Sequence, residues 1–319
     1  MKIVILGAGA LGTALGAHLA RAGEDVTLLA RGQRAAYLQE HGATITGLVD
    51  FTVPVHVITD PQQVQNADVL MVTVKTYDMQ AALASVKHLA VGSVLSIQNG
   101  VLKNEQLAQT FGWEKVLGAM IIIGAEVLPP GTVRCTANQG LLLGELPEGT
   151  STRVQTLGDT LERSGIMAKV TPSIQSFEWA KYLAFVSWMA PAVLTRLESY
   201  KFLQEAQMAS IVAAILHEMT QIATTRAIVL EDFTFFPTKT LSQPAFDDMV
   251  THLQQMGDAL ASQAPLHKVS TLQDVERGKR LEVEETLGYA VRQGAALGIP
   301  TPTLEVCYKL IAGINHYLQ

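Results

Sequence analysis

A chain of 319 residues, 48% hydrophobic and 16% charged, is long enough for two ordinary domains with separate cores and too apolar to stay disordered. The net charge of −6 and the lack of any Lys/Arg-rich run exclude a polyanion-binding surface, so nucleic acid is not an expected partner. Cys135 and Cys307 lie far apart and form no CxxC unit, which excludes a disulfide framework and fits a reducing, cytoplasmic setting.

Residues 2–6 (KIVIL) are short, β-branched and continuously apolar, as a strand buried on both faces should be. A glycine-rich turn follows, then a helix over 10–21 ending near Gly23, and a second buried strand over 26–30. The apolar run 3–20 after Met1-Lys2 superficially resembles a secretory leader, but glycines at 7, 9, 12 and 16 give it a different meaning. Strands are expected again at 68–74 and 93–98, with helices at 77–88 and 104–111 after them. Strands alternating with helices imply a parallel sheet covered on both faces. After Gly118 the texture changes. Strands at 120–125, 131–136 and 140–144, joined by turns at Pro129-Pro130-Gly131 and Asn138-Gln139-Gly140, suggest an antiparallel extension of that sheet. A serine-capped helix at 151–164 and a last strand at 167–170 complete the first part.

Beyond Pro172 the pattern is helical, near 174–190, 205–226, 243–262, 281–297 and 303–317. The apolar stretch 182–195 is too short to span a bilayer and contains Pro191, so a buried helix is expected and no membrane partner. The expected division is a Rossmann domain over 1–171 and an all-α domain over 172–319.

Gly7-Ala8-Gly9-Ala10-Leu11-Gly12 has the GxGxxG spacing, between a strand and a helix. Gly7 permits the tight turn, Gly9 lets a pyrophosphate approach the backbone, and Gly12 lets the helix pack on the strand. The N–H groups of the helix start, Ala10 and Leu11 included, face the phosphates with the positive end of the helix dipole. An NAD enzyme usually carries Asp or Glu after the second strand, to bind the ribose 2′-hydroxyl. Here Ala30 and Arg31 stand there, and Arg31, helped by Arg34, suits the 2′-phosphate of NADP. Lys75 and Asn99 end the next two strands, where ligands bind in open α/β sheets. The plainer readings, a solvated lysine and an Asn-Gly turn, stay open on these residues alone.

Taken together, the glycine-rich turn, Arg31, Val74-Lys75 and Gln98-Asn99-Gly100 resemble the ketopantoate (2-dehydropantoate) reductase family in order and spacing. So do Gly131-Thr132-Val133, Gly144-Glu145, Trp179-Ala180-Lys181, Ser270-Thr271-Leu272-Gln273-Asp274, Glu282-Val283-Glu284 and Gly298-Ile299-Pro300-Thr301-Pro302. The resemblance covers nearly the whole chain. It implies a Rossmann domain joined to a helical domain like that of 6-phosphogluconate dehydrogenase. It also implies hydride transfer from NADPH to a small-molecule 2-oxo acid, as in pantothenate biosynthesis, by a monomer or homodimer. By the same resemblance Lys181 is the general acid and Glu282 the carboxylate that orients it and contacts substrate and cofactor. Asn99 positions lysine, substrate or cofactor, Ser270 binds the substrate carboxylate, and Lys75 lies close to the cofactor.

The chemistry is coherent on its own terms, because an ammonium stabilises and protonates the oxyanion that hydride addition creates. Residues 181, 185 and 189 share one helical face, which an apolar setting would make suited to lowering a lysine pKa. The family pattern has asparagines four and eight residues after the lysine. Here Phe185 and Met189 stand at those substrate-binding positions, so a more apolar 2-oxo acid than ketopantoate is expected. His217-Glu218 begins like HExxH but lacks the second histidine, and neither a GxSxG elbow nor a P-loop is present, so no metal is expected. Two alternatives are an opine or 3-hydroxy acid dehydrogenase and a non-catalytic NADP-binding regulator.

Overall fold

The computed structural model describes residues 1–233 and 236–318. Its residue contacts fall into two compact units, 1–98 with 103–175 and 99–102 with 176–319.

The first unit is built on five parallel strands, β1 (Lys2–Leu6), β2 (Asp25–Leu29), β5 (His56–Ile58), β6 (Asn66–Val72) and β7 (Ala90–Ser96), in the order β5-β2-β1-β6-β7. Alternate side chains enter different cores. Ile3 and Ile5 pack with helix α1 (Ala10–Arg21), while Val4 and Leu6 pack with α3 (Met79–Val86) and α4 (Leu102–Phe111). Burial on both faces explains why the strands read as continuous apolar runs. Strand order reverses between β1 and β6, the point where open sheets of this kind bind ligands.

The remaining strands form a second mixed sheet, not the expected extension of the first. It comprises β3 (Ala43–Gly47), β4 (Phe51–Val53), β8 (Leu117–Val127), β9 (Val133–Glu145) and β10 (Ala168–Val170), ordered β10-β9-β3-β4 with β8 on β9. The strands expected at 131–136 and 140–144 are one strand. Asn138-Gln139-Gly140 does not reverse the chain, because Gly140 at φ +120° and irregularities in the β8–β9 register absorb the extra residues as a kink. Strands β3 to β5 were not anticipated; they are three to five residues long and, in β3 and β4, only partly buried. Helix α2 (Gly32–His41) follows β2, and α5 (Thr152–Arg163) is capped by Ser151, whose Oγ accepts from the Val154 N–H.

The second unit contains α6 (Ile174–Thr195), α7 (Ser199–Gln204), α8 (Ala206–Thr225), α9 (Thr238–Leu241), α10 (Phe246–Gln263), α11 (Ser270–Glu276), α12 (Leu287–Leu297) and α13 (Pro302–His316) around one apolar core. Helix α6 is apolar over most of its surface, as a helix buried over most of its length must be. Lys181 lies two turns inside it. Residues 281–286, expected as helix, form a turn before α12. Thr286 Oγ1 bonds back to the carbonyls of Glu282 and Val283 and so competes with the helical pattern. No helix among the described residues is long and apolar enough to cross a membrane. Both cysteines are buried and free.

Candidate functional site

In the first unit the GxGxxG turn connects β1 to α1 at the switch point. Gly7 sits at φ +107°, and a Cβ there would meet Val74 Cγ1 at 2.8 Å. A Cβ on Gly12 would collide with the Gly7 carbonyl oxygen and Thr73 Oγ1, whereas above Gly9 there is open space. Two glycines are thus demanded by packing and the third leaves room for a ligand. Gly9 is the N-cap of α1 and offers no side-chain cap, so the N–H groups at Ala10 and Leu11 are left for an anion. Residues the sequence reading missed hold the turn in shape. Thr73 Oγ1 donates to the Gly7 carbonyl at 2.6 Å and Thr13 Oγ1 to the Ala8 carbonyl at 2.9 Å.

A groove of about 390 Å³ runs past this turn and the carboxyl end of β2, lined by Gly7, Gly9, Ala30, Arg31, Val74 and Ala82 among others. Arg31, exposed, is the N-cap residue of α2 at its edge. Arg34 lines the same groove and is also held by the protein. Its Nε donates to the Ala8 carbonyl at 2.8 Å, Nη1 to the Gly131 carbonyl at 2.5 Å and Nη2 to Thr13 Oγ1 at 2.9 Å. Burial also lowers its pKa. A guanidinium holding three protein acceptors on three segments acts as a brace.

Lys75, partly buried, follows β6 and leads into a 3-10 turn at Thr76–Asp78. The Gln98 amide donates from Nε2 to the Val74 carbonyl at 2.8 Å, tying the ends of β6 and β7. Lys103 was not anticipated either. Only 3% exposed, its ammonium donates to the carbonyls of Ser96 at 2.8 Å and Ala119 at 2.5 Å. It therefore fixes the base of the segment that carries Asn99. The signal available in the sequence was a lysine one residue into a polar helix start (Leu102-Lys103-Asn104-Glu105), which reads as surface.

In the second unit, three segments carrying candidate residues converge. A Cβ on Gly100, next to Asn99, would lie 3.4 Å from the Glu285 carbonyl, 3.6 Å from Thr286 Cγ2 and 3.8 Å from Tyr182 Cε2. The buried Tyr182 hydroxyl donates to the Thr286 carbonyl at 2.7 Å. Tyr182 follows Lys181, Gly100 follows Asn99, and Thr286 holds the carbonyl of the buried Glu282. Tyr182 and Thr286 are thus the unforeseen residues that join the Lys181, Asn99 and Glu282 segments.

Between Glu178 and Val193 of α6, only Lys181 and Phe185 keep intermediate exposure, and every other residue is buried. The one open strip of this helix is therefore the face that carries the lysine, with an aromatic ring one turn on. Met189, on the same face, has no accessible surface and its Sδ lies 3.9 Å from Thr286 Oγ1. It backs the wall and in this conformation does not meet a ligand, a correction to its expected substrate contact. Ser187 is buried and bonds the Ala184 carbonyl within its own helix. Ser270 opens α11 and is exposed. His217 is exposed, while its neighbour Glu218 is buried and accepts from the Thr303 and Leu304 N–H groups at 2.9 Å each, capping α13. No group of side chains suited to a metal ion occurs among the described residues.

Comparison with known proteins supports the reading of both units. The family model described as ketopantoate reductase PanE/ApbA matches residues 3–148, and the one described as its C terminal part matches residues 173–315. A 2-dehydropantoate 2-reductase of Pyrococcus abyssi is 28% identical over 314 residues, covering 98% of this chain and 97% of that protein. Among solved structures, a ketopantoate reductase from Ralstonia eutropha JMP134 is 28% identical with a TM-score of 0.85 and full coverage of both chains. A 2-dehydropantoate 2-reductase from Geobacter metallireducens GS-15 is 26% identical with a TM-score of 0.82, covering 98% of this chain and 99% of that one. With family models matching both its sheet-bearing and its helical parts, the chain belongs to the ketopantoate reductase family.

Proposed function

We propose that this protein reduces a 2-oxo acid to the 2-hydroxy acid with NADPH, as the 2-dehydropantoate 2-reductases it resembles are named for doing. The observation that carries the reading is the convergence of the Lys181, Asn99 and Glu282 segments on Tyr182 and Thr286, in a chain whose other unit carries a dinucleotide turn. Residues 1–171 bind the cofactor, and residues 172–319 together with Asn99 carry substrate and catalysis. Ketopantoate reduction, a step of pantothenate biosynthesis, is the reference reaction.

The groove residues fit NADPH: open space at Gly9, an uncapped α1 N-terminus for the pyrophosphate, and Arg31 in place of an acidic residue after β2. The bound nicotinamide supplies the hydride. The chain supplies the rest. Lys181 donates its proton to the oxygen of the former carbonyl, and its ammonium stabilises the charge that builds there. Glu282, buried, orients the lysine, and Asn99 positions the carbonyl with its amide. Ser270 meets the substrate carboxylate and Lys75 the cofactor.

The substrate is more apolar than ketopantoate. Phe185 offers an aromatic surface beside Lys181 where the family pattern has an amide, and Met189 backs it. An apolar wall cannot reward a hydroxyl, and losing a built-in hydrogen bond costs far more selectivity than losing a methylene. The test is NADPH oxidation with ketopantoate and with unhydroxylated acids such as 2-oxoisovalerate. Turnover with a higher kcat/KM for the unhydroxylated acid is expected. A strong preference for ketopantoate would remove the substrate shift, and no turnover on any 2-oxo acid would remove the reductase reading.

A further inference from the structure

We propose that the 127–131 turn between β8 and β9, braced by Arg34, forms a wall of the dinucleotide groove and contacts the adenosine half through Val127. This rests on the reading that the groove binds NADPH.

Val127 lines the groove together with Gly9 and Arg31, although it belongs to the second sheet and not to the Rossmann strands. It is 42% exposed, an apolar side chain at the end of a strand with surface free to meet a ligand in the groove. The turn behind it is held on the side of the sheet that takes the adenosine half, beside the ends of β1 and β2. Two contacts hold it. Arg34 Nη1 donates to the Gly131 carbonyl at 2.5 Å, while its other nitrogens bond the Ala8 carbonyl and Thr13 Oγ1. A Cβ on Gly131 would meet the Tyr37 ring at 2.5 Å, so this glycine lets the turn lie flat on α2. The Arg34 guanidinium itself lies 5.7 Å from the Tyr37 ring centroid.

One guanidinium thus links three things: the glycine-rich turn through Ala8, helix α1 through Thr13, and the hairpin turn through Gly131. The planar fork suits this task because it fixes several acceptors at once, which a lysine cannot do. Arg34 is therefore a positioning residue. It shapes the groove for any dinucleotide, whereas Arg31 reads the 2′-phosphate. The two arginines have separable signatures: loss of Arg34 weakens NADPH and NADH binding alike, and loss of Arg31 changes their ratio.

The test measures dissociation constants by fluorescence and calorimetric titration for NADPH, NADH, adenosine 2′,5′-bisphosphate and reduced nicotinamide mononucleotide. Val127→Asp is expected to weaken the bisphosphate about tenfold and Val127→Ser about threefold, both leaving the mononucleotide unchanged. Arg34→Gln is expected to weaken NADPH and NADH by the same factor of about five, partly restored in Arg34→Lys. Circular dichroism confirms that each variant is folded. Wild-type affinity in both Val127 variants overturns the wall, and so does an effect confined to Val127→Asp, which reports charge at a distance. A changed NADPH/NADH ratio in Arg34→Gln overturns the brace and returns Arg34 to phosphate reading. Wild-type protein that binds neither NADPH nor the bisphosphate overturns the cofactor reading itself, and this inference with it.

Discussion

Replacing Glu218 by alanine tests whether one buried carboxylate holds the C-terminal helix in place. Glu218 lies on α8 and is 7% exposed, and its two oxygens accept from the N–H groups of Thr303 and Leu304, each at 2.9 Å. Those donors belong to the first turn of α13, where a helix has no partners of its own and where negative charge is favoured. Each hydrogen bond to a charged group contributes about 1.5–3 kcal/mol, and alanine leaves both N–H groups buried without acceptors. Alanine also ends the cost of desolvating the carboxylate, so the net loss should be about 3 kcal/mol. With a urea m-value of about 1–3 kcal/mol/M, the midpoint of unfolding should fall by roughly 1–3 M. Trp179 and Trp188 are both buried in the helical unit, so tryptophan fluorescence reads its unfolding directly. Glu218→Gln should lie between, because its oxygen satisfies one N–H while its amide nitrogen faces the other. An unchanged midpoint in Glu218→Ala would refute the reasoning.

Other residues give sharper functional outcomes. Gly12→Ala should abolish tight NADPH binding and cost about 1–3 kcal/mol in stability, because the new methyl meets the Gly7 carbonyl and Thr73; normal titration would contradict this. Lys103→Met should destabilise the first unit by about 1–3 kcal/mol and speed amide exchange over residues 97–102, since the Ser96 and Ala119 carbonyls lose their ammonium; unaltered exchange would count against the role. The Glu145 carboxylate is held below its ordinary pKa chiefly by the Arg153 guanidinium, with Ser151 adding to it against the opposing effect of burial. A depressed folded-state pKa means stabilisation that is present above the unfolded value and lost as pH falls through the folded one. Acid titration of stability should therefore be less steep in Glu145→Gln than in the wild type, and equal slopes would remove the linkage.

Where periodicity was long and unmixed, the sequence was legible. Strands β1, β2, β6 and β7 are buried on both faces and read as apolar runs, and the mostly apolar α6 reads as a core helix. The family followed from motifs spread along the chain, each weak alone. What failed were short, half-exposed elements and local competition. Strands β3 to β5 bury too few side chains to show a period, and Gly140 bends a strand where a turn was read. Thr286 stopped a helix that the apolar spacing of residues 281–287 favoured. The site showed the same division. Glycine chemistry was readable because sterics dictate it, whereas Arg34, Lys103 and Tyr182 act through partners 97, 16 and 104 residues away, which no local window reveals. Arg34 gave no sign of its bracing role because two of its three acceptors are backbone carbonyls, which have no sequence signature.

The account stands on Lys181 as the proton source of a 2-oxo acid reduction. The most direct measurement is kcat of Lys181→Ala on the best 2-oxo acid, alongside its NADPH dissociation constant. The predicted result is a fall in kcat of about 10²–10⁴-fold, with NADPH bound as in the wild type. A kcat within about tenfold of the wild type, with equal NADPH affinity, would contradict the assignment of that lysine.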